Sequence, residues 1–219
     1  MDVEIKNFKF TWPGERSPLL AIPHWKLKKG SHVLIWGESG KGKTTILHCI
    51  GGLLEATEGD VVVDNHSYQE MRERDRLRLR RDAITLVFQR LNLIIHLTVV
   101  ENIMLGLNGR QGTGKVDAIC ALKRVGMADV SKRLAWNLSA GEQQRVALAR
   151  ALVRKTPLTL ADEPTANLNK ANAIRVIEEL LSDVQQRNHT LIVVSHDERI
   201  RDMFDLAYNI EEISTPCPV

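Results

Sequence analysis

The sequence predicts an α/β fold, and three of its features do so. Short apolar runs alternate with helix-like segments along most of the chain, the pattern that builds a sheet covered by helices. One of those runs, HVLIW, leads through a glycine-rich loop into the apolar helical stretch TILHCI. The runs Ile84 to Phe88, Leu158 to Ala161 and Thr190 to Val194 are apolar without alternation, which suits strands buried on both faces.

Taken in chain order, Val3 to Phe10 and Ser31 to Trp36 read as strands, with WPGERSP between them supplying turns. Lys43 to Ile50 reads as a helix and Val61 to Val63 as a short strand. The stretch Met71 to Asp82, MRERDRLRLRRD, mixes charges with Leu77 and Leu79 and reads as a solvated segment packed on the core. Beyond the run at Ile84, the chain from Asn92 to Ser139 has helical patterns and no convincing strand, and NGRQGTGK (108–115) reads as an exposed loop. Glu142 to Arg154 is a helix carrying Val146, Leu148, Ala149 and Leu152, with arginines at 145, 150 and 154. Ala171 to Gln186 places Ile174, Ile177, Leu181 and Val184 on one face. These elements define one domain, a core of 1–91 and 155–219 with a helical insertion over about 92–154. The end, STPCPV, reads as a frayed tail.

Composition narrows the classes of function. With 43% hydrophobic and 26% charged residues among 219, the chain has the apolar content for a sizeable core. A net charge of +3 suits a binder of phosphates, and it is too small to argue for nucleic acid. Cys49, Cys120 and Cys217 are dispersed, which argues against a zinc site or disulfide framework and gives the first two a place in core packing. The N-terminus lacks a positively charged start followed by an apolar stretch, and no apolar run reaches the roughly 18 residues of a membrane span. A membrane role would therefore need partner subunits.

The chemistry concentrates in two segments. GESGKGKT, Gly37 to Thr44, matches the phosphate-binding pattern G-x-x-x-x-G-K-[ST] in its strand–loop–helix setting. Glycines at 37, 40 and 42 let the loop turn tightly and present backbone N–H groups to phosphate oxygens, and the helix N-terminus adds donors. Lys43 is suited to the β- and γ-phosphates and Thr44 to Mg²⁺. In LTLADEP, a hydrophobic strand ends in Asp162, a candidate for the metal shell, and Glu163, a candidate to orient or deprotonate water.

The segment LSAGEQQRVALARAL, Leu138 to Leu152, resembles the LSGGQ-type signature of the ABC ATPases and the helix after it. Gln89 after ITLVF and His196 after LIVVS fall in that family's order, and the resemblance covers essentially the whole chain. It implies a phosphate-loop, RecA-like core sheet, an antiparallel β subdomain and an inserted α-helical subdomain. It implies ATP and Mg²⁺ as ligands, with Gly37, Glu38, Ser39, Gly40, Lys41, Gly42, Lys43, Thr44 and Thr45 holding nucleotide and Trp12 stacking on adenine. Thr44, Gln89 and Asp162 would serve the metal, and Glu163, His196 and Gln89 catalysis. Ser139 and Gly141 would meet the γ-phosphate held by a second copy in a head-to-tail dimer, and Glu142 would join them among the nucleotide-binding residues. That pair would sit on the cytoplasmic face of the membrane through integral permease partners, with no nucleic acid involved.

Two residues depart from the family pattern. Ala140 replaces the first glycine of the signature, a modest change unless the position needs φ > 0. Asn169 stands where NLD is usual after DEPTA, keeping the shape while losing the charge, which bears on turnover and coupling between sites. Within the family the chain is similar to the bacterial branch holding the ATPases of lipoprotein-release, macrolide-efflux and cell-division complexes. Export or mechanical work follows from that similarity. A non-transport switch for signalling or cell-wall hydrolysis would use the same motor chemistry, and the cargo is not encoded in these motifs.

Overall fold

The computed structural model describes residues 1–107, 114–166 and 168–214. Strands β1 (Val3–Phe10), β2 (Leu20–Leu27), β4 (Glu58–Val63) and β5 (His66–Ser67) form an antiparallel sheet in the order β2-β1-β4-β5. Strands β3 (His32–Trp36), β6 (Ile84–Val87), β7 (Leu158–Asp162), β8 (Thr190–Ser195) and β9 (Leu206–Asn209) form a parallel sheet in the order β6-β7-β8-β3-β9. The helices are α1 (Lys43–Ile50), α2 (Glu73–Ala83), α3 (Val99–Met104), α4 (Gly114–Arg124), α5 (Ala140–Leu152), α6 (Lys170–Arg187) and α7 (Ile210–Ile213).

Non-alternating strands are explained by two cores, one on each face of the parallel sheet. Val33 and Ile35 of β3 join α1 and the antiparallel sheet in one apolar cluster, whereas Leu34 joins α3, α4, α5 and α6 in the other. Strands β7 and β8 are buried along their whole length for the same reason. Every described helix and 3₁₀ turn between β6 and β7 belongs to a stretch without a strand, apart from a lone bridge between Thr98 and Leu134.

Several sequence expectations need correction. β2 is not among the expected strands; it contains Pro23, and an edge strand, which β2 is, tolerates a residue with no N–H. The short edge strand β9 has no long apolar run to reveal it. The helix expected from Glu142 begins two residues earlier, because the Ser139 side chain caps it. Cys49 is buried, which pushes its thiol up to about 12, but Cys120 is exposed, on the face of α4 opposite Ala118, Ala121 and Leu122. Basic α2 buries none of its residues, and Leu77 is exposed while Leu79 packs against the core. Most of the loop expected at 108–115 and of the tail at 214–219 lies outside the described residues, as does Asn167; Gly114 and Lys115 open α4.

The antiparallel sheet depends on one glycine. Gly59 has φ +75°, and a Cβ there would lie 2.1 Å from the Asn7 carbonyl oxygen, where β1 bulges between Lys6 and Lys9. The atoms met, from Asn7 and Lys6, are all backbone, so neither strand can yield cheaply. Gly59→Ala is expected to cost roughly 2–4 kcal/mol, read as a lower urea midpoint at unchanged slope. A midpoint within error of the unsubstituted chain would refute that reading of the bulge.

Candidate nucleotide site

Four neighbouring parallel strands deliver the site at their carboxyl ends. β6 leads to Gln89, β7 to Asp162 and Glu163, β8 to His196, and β3 to the glycine-rich loop. Open parallel sheets bind ligands at this edge. The loop runs from Gly37 to Gly42, the N-cap of α1, which has φ 90°. A Cβ on Gly42 would strike the Leu20 side chain at 2.8 Å, so glycine serves both conformation and packing. No side chain caps α1 and its first turn has no acidic residue, so its first N–H groups and dipole are suited to an anion.

Lys43 is 6% exposed, and its ammonium donates to the carbonyl oxygens of Gly37 and Glu38, both at 2.8 Å. It thereby spans the inside of the loop from the helix end. The Thr44 hydroxyl donates to Asp162 Oδ1 at 3.0 Å, joining the phosphate loop to the β7 end. Burial pushes the Asp162 carboxyl up to about 6; the Thr44 bond opposes this, the neighbouring Glu163 adds to it, and Lys43 opposes it. These are hard oxygen donors of the kind Mg²⁺ takes alongside phosphate and water, so they fit that ion without a larger carboxylate cluster.

Glu163 occupies the left-handed region at φ 47°, and its N–H donates to Val194 O at 2.9 Å. That turn places its carboxylate beside the end of β8. Ser195 Oγ donates to Oε2 at 2.8 Å, the His196 N–H donates to Oε1 at 3.2 Å, and His196 Nδ1 lies 2.8 Å from Oε1. A cleft of about 330 Å³ gathers Trp12, Ser39, Gly40, Gly42, Lys43, Thr44, Thr45, Gln89 and Glu163. Trp12 is 44% exposed and meets Phe10 edge-on at 4.9 Å, so it is no core tryptophan. His196 lines an adjoining cavity with Gly37, Glu38 and Ser39. Lys41 points out of the cleft to pair with Glu211 at 2.7 Å.

The signature residues stand elsewhere. Ser139 caps α5 in a reciprocal box with Glu142, whose carboxylate accepts from the Ser139 N–H and hydroxyl, both at 2.8 Å. Neither Ser139, Gly141 nor Glu142 lines the cleft of the phosphate loop. Ala140 is the first helical residue and has no positive φ, so replacing glycine there carries no backbone strain. Asn169 caps α6 by accepting the Asn172 N–H at 2.9 Å, a bond that aspartate could equally accept, so the departure alters charge and not the cap.

Three connections were not read from the sequence. Gln144, 2% exposed, donates to Pro164 O at 2.8 Å and so ties the signature helix to the loop after Glu163. Arg150 donates to Leu91 O at 2.6 Å and Asn92 O at 2.8 Å, holding the segment that follows Gln89. Ser195, the last residue of β8, donates to Glu163 and accepts the Asp197 N–H. The available signal for Gln144 was its place one turn before Leu148 on the apolar face of α5.

Fold and site together define a phosphate-loop nucleotide hydrolase. The chain belongs to the ABC transporter family, which it matches over residues 20–166, and it is an ATP-binding ATPase of that family. It is 38% identical over 216 residues to an uncharacterised ABC transporter ATP-binding protein of Mycobacterium tuberculosis, covering 95% of this chain and 86% of the relative. It is 37% identical over 212 residues to the lipoprotein-releasing system ATP-binding protein LolD of Treponema denticola, covering 93% and 94%. LolD belongs to the branch that the sequence resembles. The dimeric post-hydrolysis structure of the ATP-binding cassette MJ0796 of Methanocaldococcus jannaschii, bound to ADP and Pi, superposes with a TM-score of 0.87 at 32% identity, covering 95% of this chain and 94% of that one. Among the described residues no helix is long and apolar enough to cross a membrane.

Proposed function

We propose that this chain is the ATP-hydrolysing motor of a membrane complex, working as a head-to-tail pair of copies around two ATP on the cytoplasmic face. The observation carrying this reading is the division of the site. Lys43, Thr44 with Asp162 bonded to it, Gln89 and Glu163 mark one cleft, which Lys43, Thr44, Gln89 and Glu163 line, while Ser139 and Gly141 lie outside it. A second copy, turned head to tail, supplies the missing wall, as the dimeric relatives make reasonable.

In this arrangement Trp12 stacks on adenine and the loop from Gly37 to Thr45 cradles the phosphates. Lys43 exchanges its bonds to loop carbonyls for phosphate oxygens. Thr44, Asp162 and Gln89 hold Mg²⁺, which neutralises charge on the phosphates. Glu163 takes the proton of the attacking water, and Gln89 orients that water. His196 swings from Glu163 to hydrogen-bond the γ-phosphate. Closing and reopening of the pair then drives permease subunits in export or in mechanical work across the membrane. Beside the segment that Arg150 holds, a cleft of about 780 Å³ lined by Phe88, Leu77, Leu105, Arg74 and Arg78 offers apolar and basic contacts for such a subunit.

Cross-linking tests the pairing. In a Glu163→Gln chain with Cys120 and Cys217 changed to serine, Ser39→Cys and Ser139→Cys are expected to form a disulfide between two copies when ATP is added. Buried Cys49 stays out of reach of the oxidant. A disulfide within one chain, or none with saturating ATP, would remove the composite site. Reconstitution with the co-purifying membrane protein then asks whether hydrolysis moves cargo.

A further inference from the structure

Glu163 is held by Ser195, the residue before His196, which has no role assigned above beyond ending the strand. Ser195 is fully buried, and its hydroxyl is committed in both directions. Its oxygen accepts the Asp197 N–H at 3.1 Å, so its hydrogen is left to donate to Glu163 Oε2 at 2.8 Å. The Asp197 backbone is itself pinned through its side chain. Thr165 Oγ1 donates to Asp197 Oδ2 at 2.8 Å, and Arg199 donates from Nε to Oδ1 and from Nη2 to Oδ2, each at 2.7 Å. Arg199 also donates from Nη1 to Leu168 O at 3.3 Å, next to Asn169. A fork-shaped guanidinium on a carboxylate fixes geometry better than a single bond does.

We infer that Ser195, oriented by the Asp197–Arg199 clamp, is a positioning residue that sets the direction of the Glu163 carboxylate. Without the hydroxyl, Oε1 still meets His196, but Oε2 keeps only the long contact from the His196 N–H at 3.4 Å, and the carboxylate can turn about its bonds to His196. A base that samples several directions spends less time aligned with water, which lowers turnover and leaves nucleotide affinity alone. The inference rests on Glu163 acting as the base, and the test keeps the two ideas apart.

The test uses the assembled complex with its membrane partner, with steady-state hydrolysis, ATP affinity and thermal midpoint measured in parallel. Ser195→Ala is expected to lower kcat about tenfold with KM for ATP within twofold, and Ser195→Thr, which retains the hydroxyl, to recover most of the loss. In a Glu163→Gln background, Ser195→Ala should change the residual single-turnover rate less than twofold, because its effect passes through the carboxylate. A crystal structure of the Ser195→Ala chain should show the Glu163 carboxylate rotated from its present direction. The inference fails if Ser195→Ala leaves kcat unchanged or raises it, or if threonine does not restore it. It also fails if the loss persists undiminished in the Glu163→Gln background, or if the carboxylate keeps its direction without the hydroxyl. Glu163→Gln with near-normal hydrolysis would instead refute the assignment of the base.

Discussion

Glu163→Gln is expected to reduce ATP hydrolysis by the assembled complex at least about a hundredfold, within the range that positioned acid–base groups contribute. The amide has nearly the same shape. Its oxygen can accept from Ser195 or from the His196 N–H, so the local fold and the left-handed turn at this position are preserved. What it lacks is a lone pair basic enough to take a proton from water. ATP affinity should stay within a few-fold, because Lys43, the loop N–H groups and Thr44 are untouched. The substituted chain should therefore collect as an ATP-bound pair, visible as a doubling of mass by light scattering. A loss smaller than tenfold would exclude Glu163 as the proton acceptor. Loss of both hydrolysis and nucleotide binding would mean that the substitution had collapsed the loop.

Lys43→Ala is expected to weaken ATP binding by about two orders of magnitude, ~3 kcal/mol, the scale of a charge-assisted contact to phosphate in a sheltered site. The lysine is nearly buried at the first turn of α1 and already carries its charge into the loop, against two carbonyl oxygens. Alanine removes that charge and the two bonds that hold the loop in shape. Isothermal titration with ATP and with ADP separates these effects. Loss of the charge should weaken ATP more than ADP, whereas loss of loop shape should weaken both alike. Equal weakening would place Lys43 among the loop's structural residues.

The Asp162 and Asn169 positions show how far linear reading reached. Asp162 was assigned to the metal from a hydrophobic strand ending in a carboxylate, and the structure sets it 3.0 Å from the Thr44 hydroxyl, 118 positions away. Asn169 stood out as a lost charge, and the structure adds that its side chain caps α6. Ser195 was passed over, since a serine at the end of an apolar strand has no local pattern to separate it from a solvated strand end. Cys120 was placed in the core on composition, although α4 turns it outward.

What the sequence determined by itself is the local chemistry: a phosphate loop between a strand and a helix, carboxylates at a strand end, a signature helix and the strands buried on both faces. Each follows from spacing, since periodicity records which faces are buried and glycine records where the backbone must turn. Only the tertiary structure decided that β6, β7, β8 and β3 lie side by side and bring Gln89, Glu163, His196 and the loop to one edge. Strand order is a property of the whole packed chain, and no local pattern encodes it. The same packing set Gln144 on Pro164, Arg150 on the segment after Gln89 and Ser195 on Glu163, bonds between residues that share no local pattern.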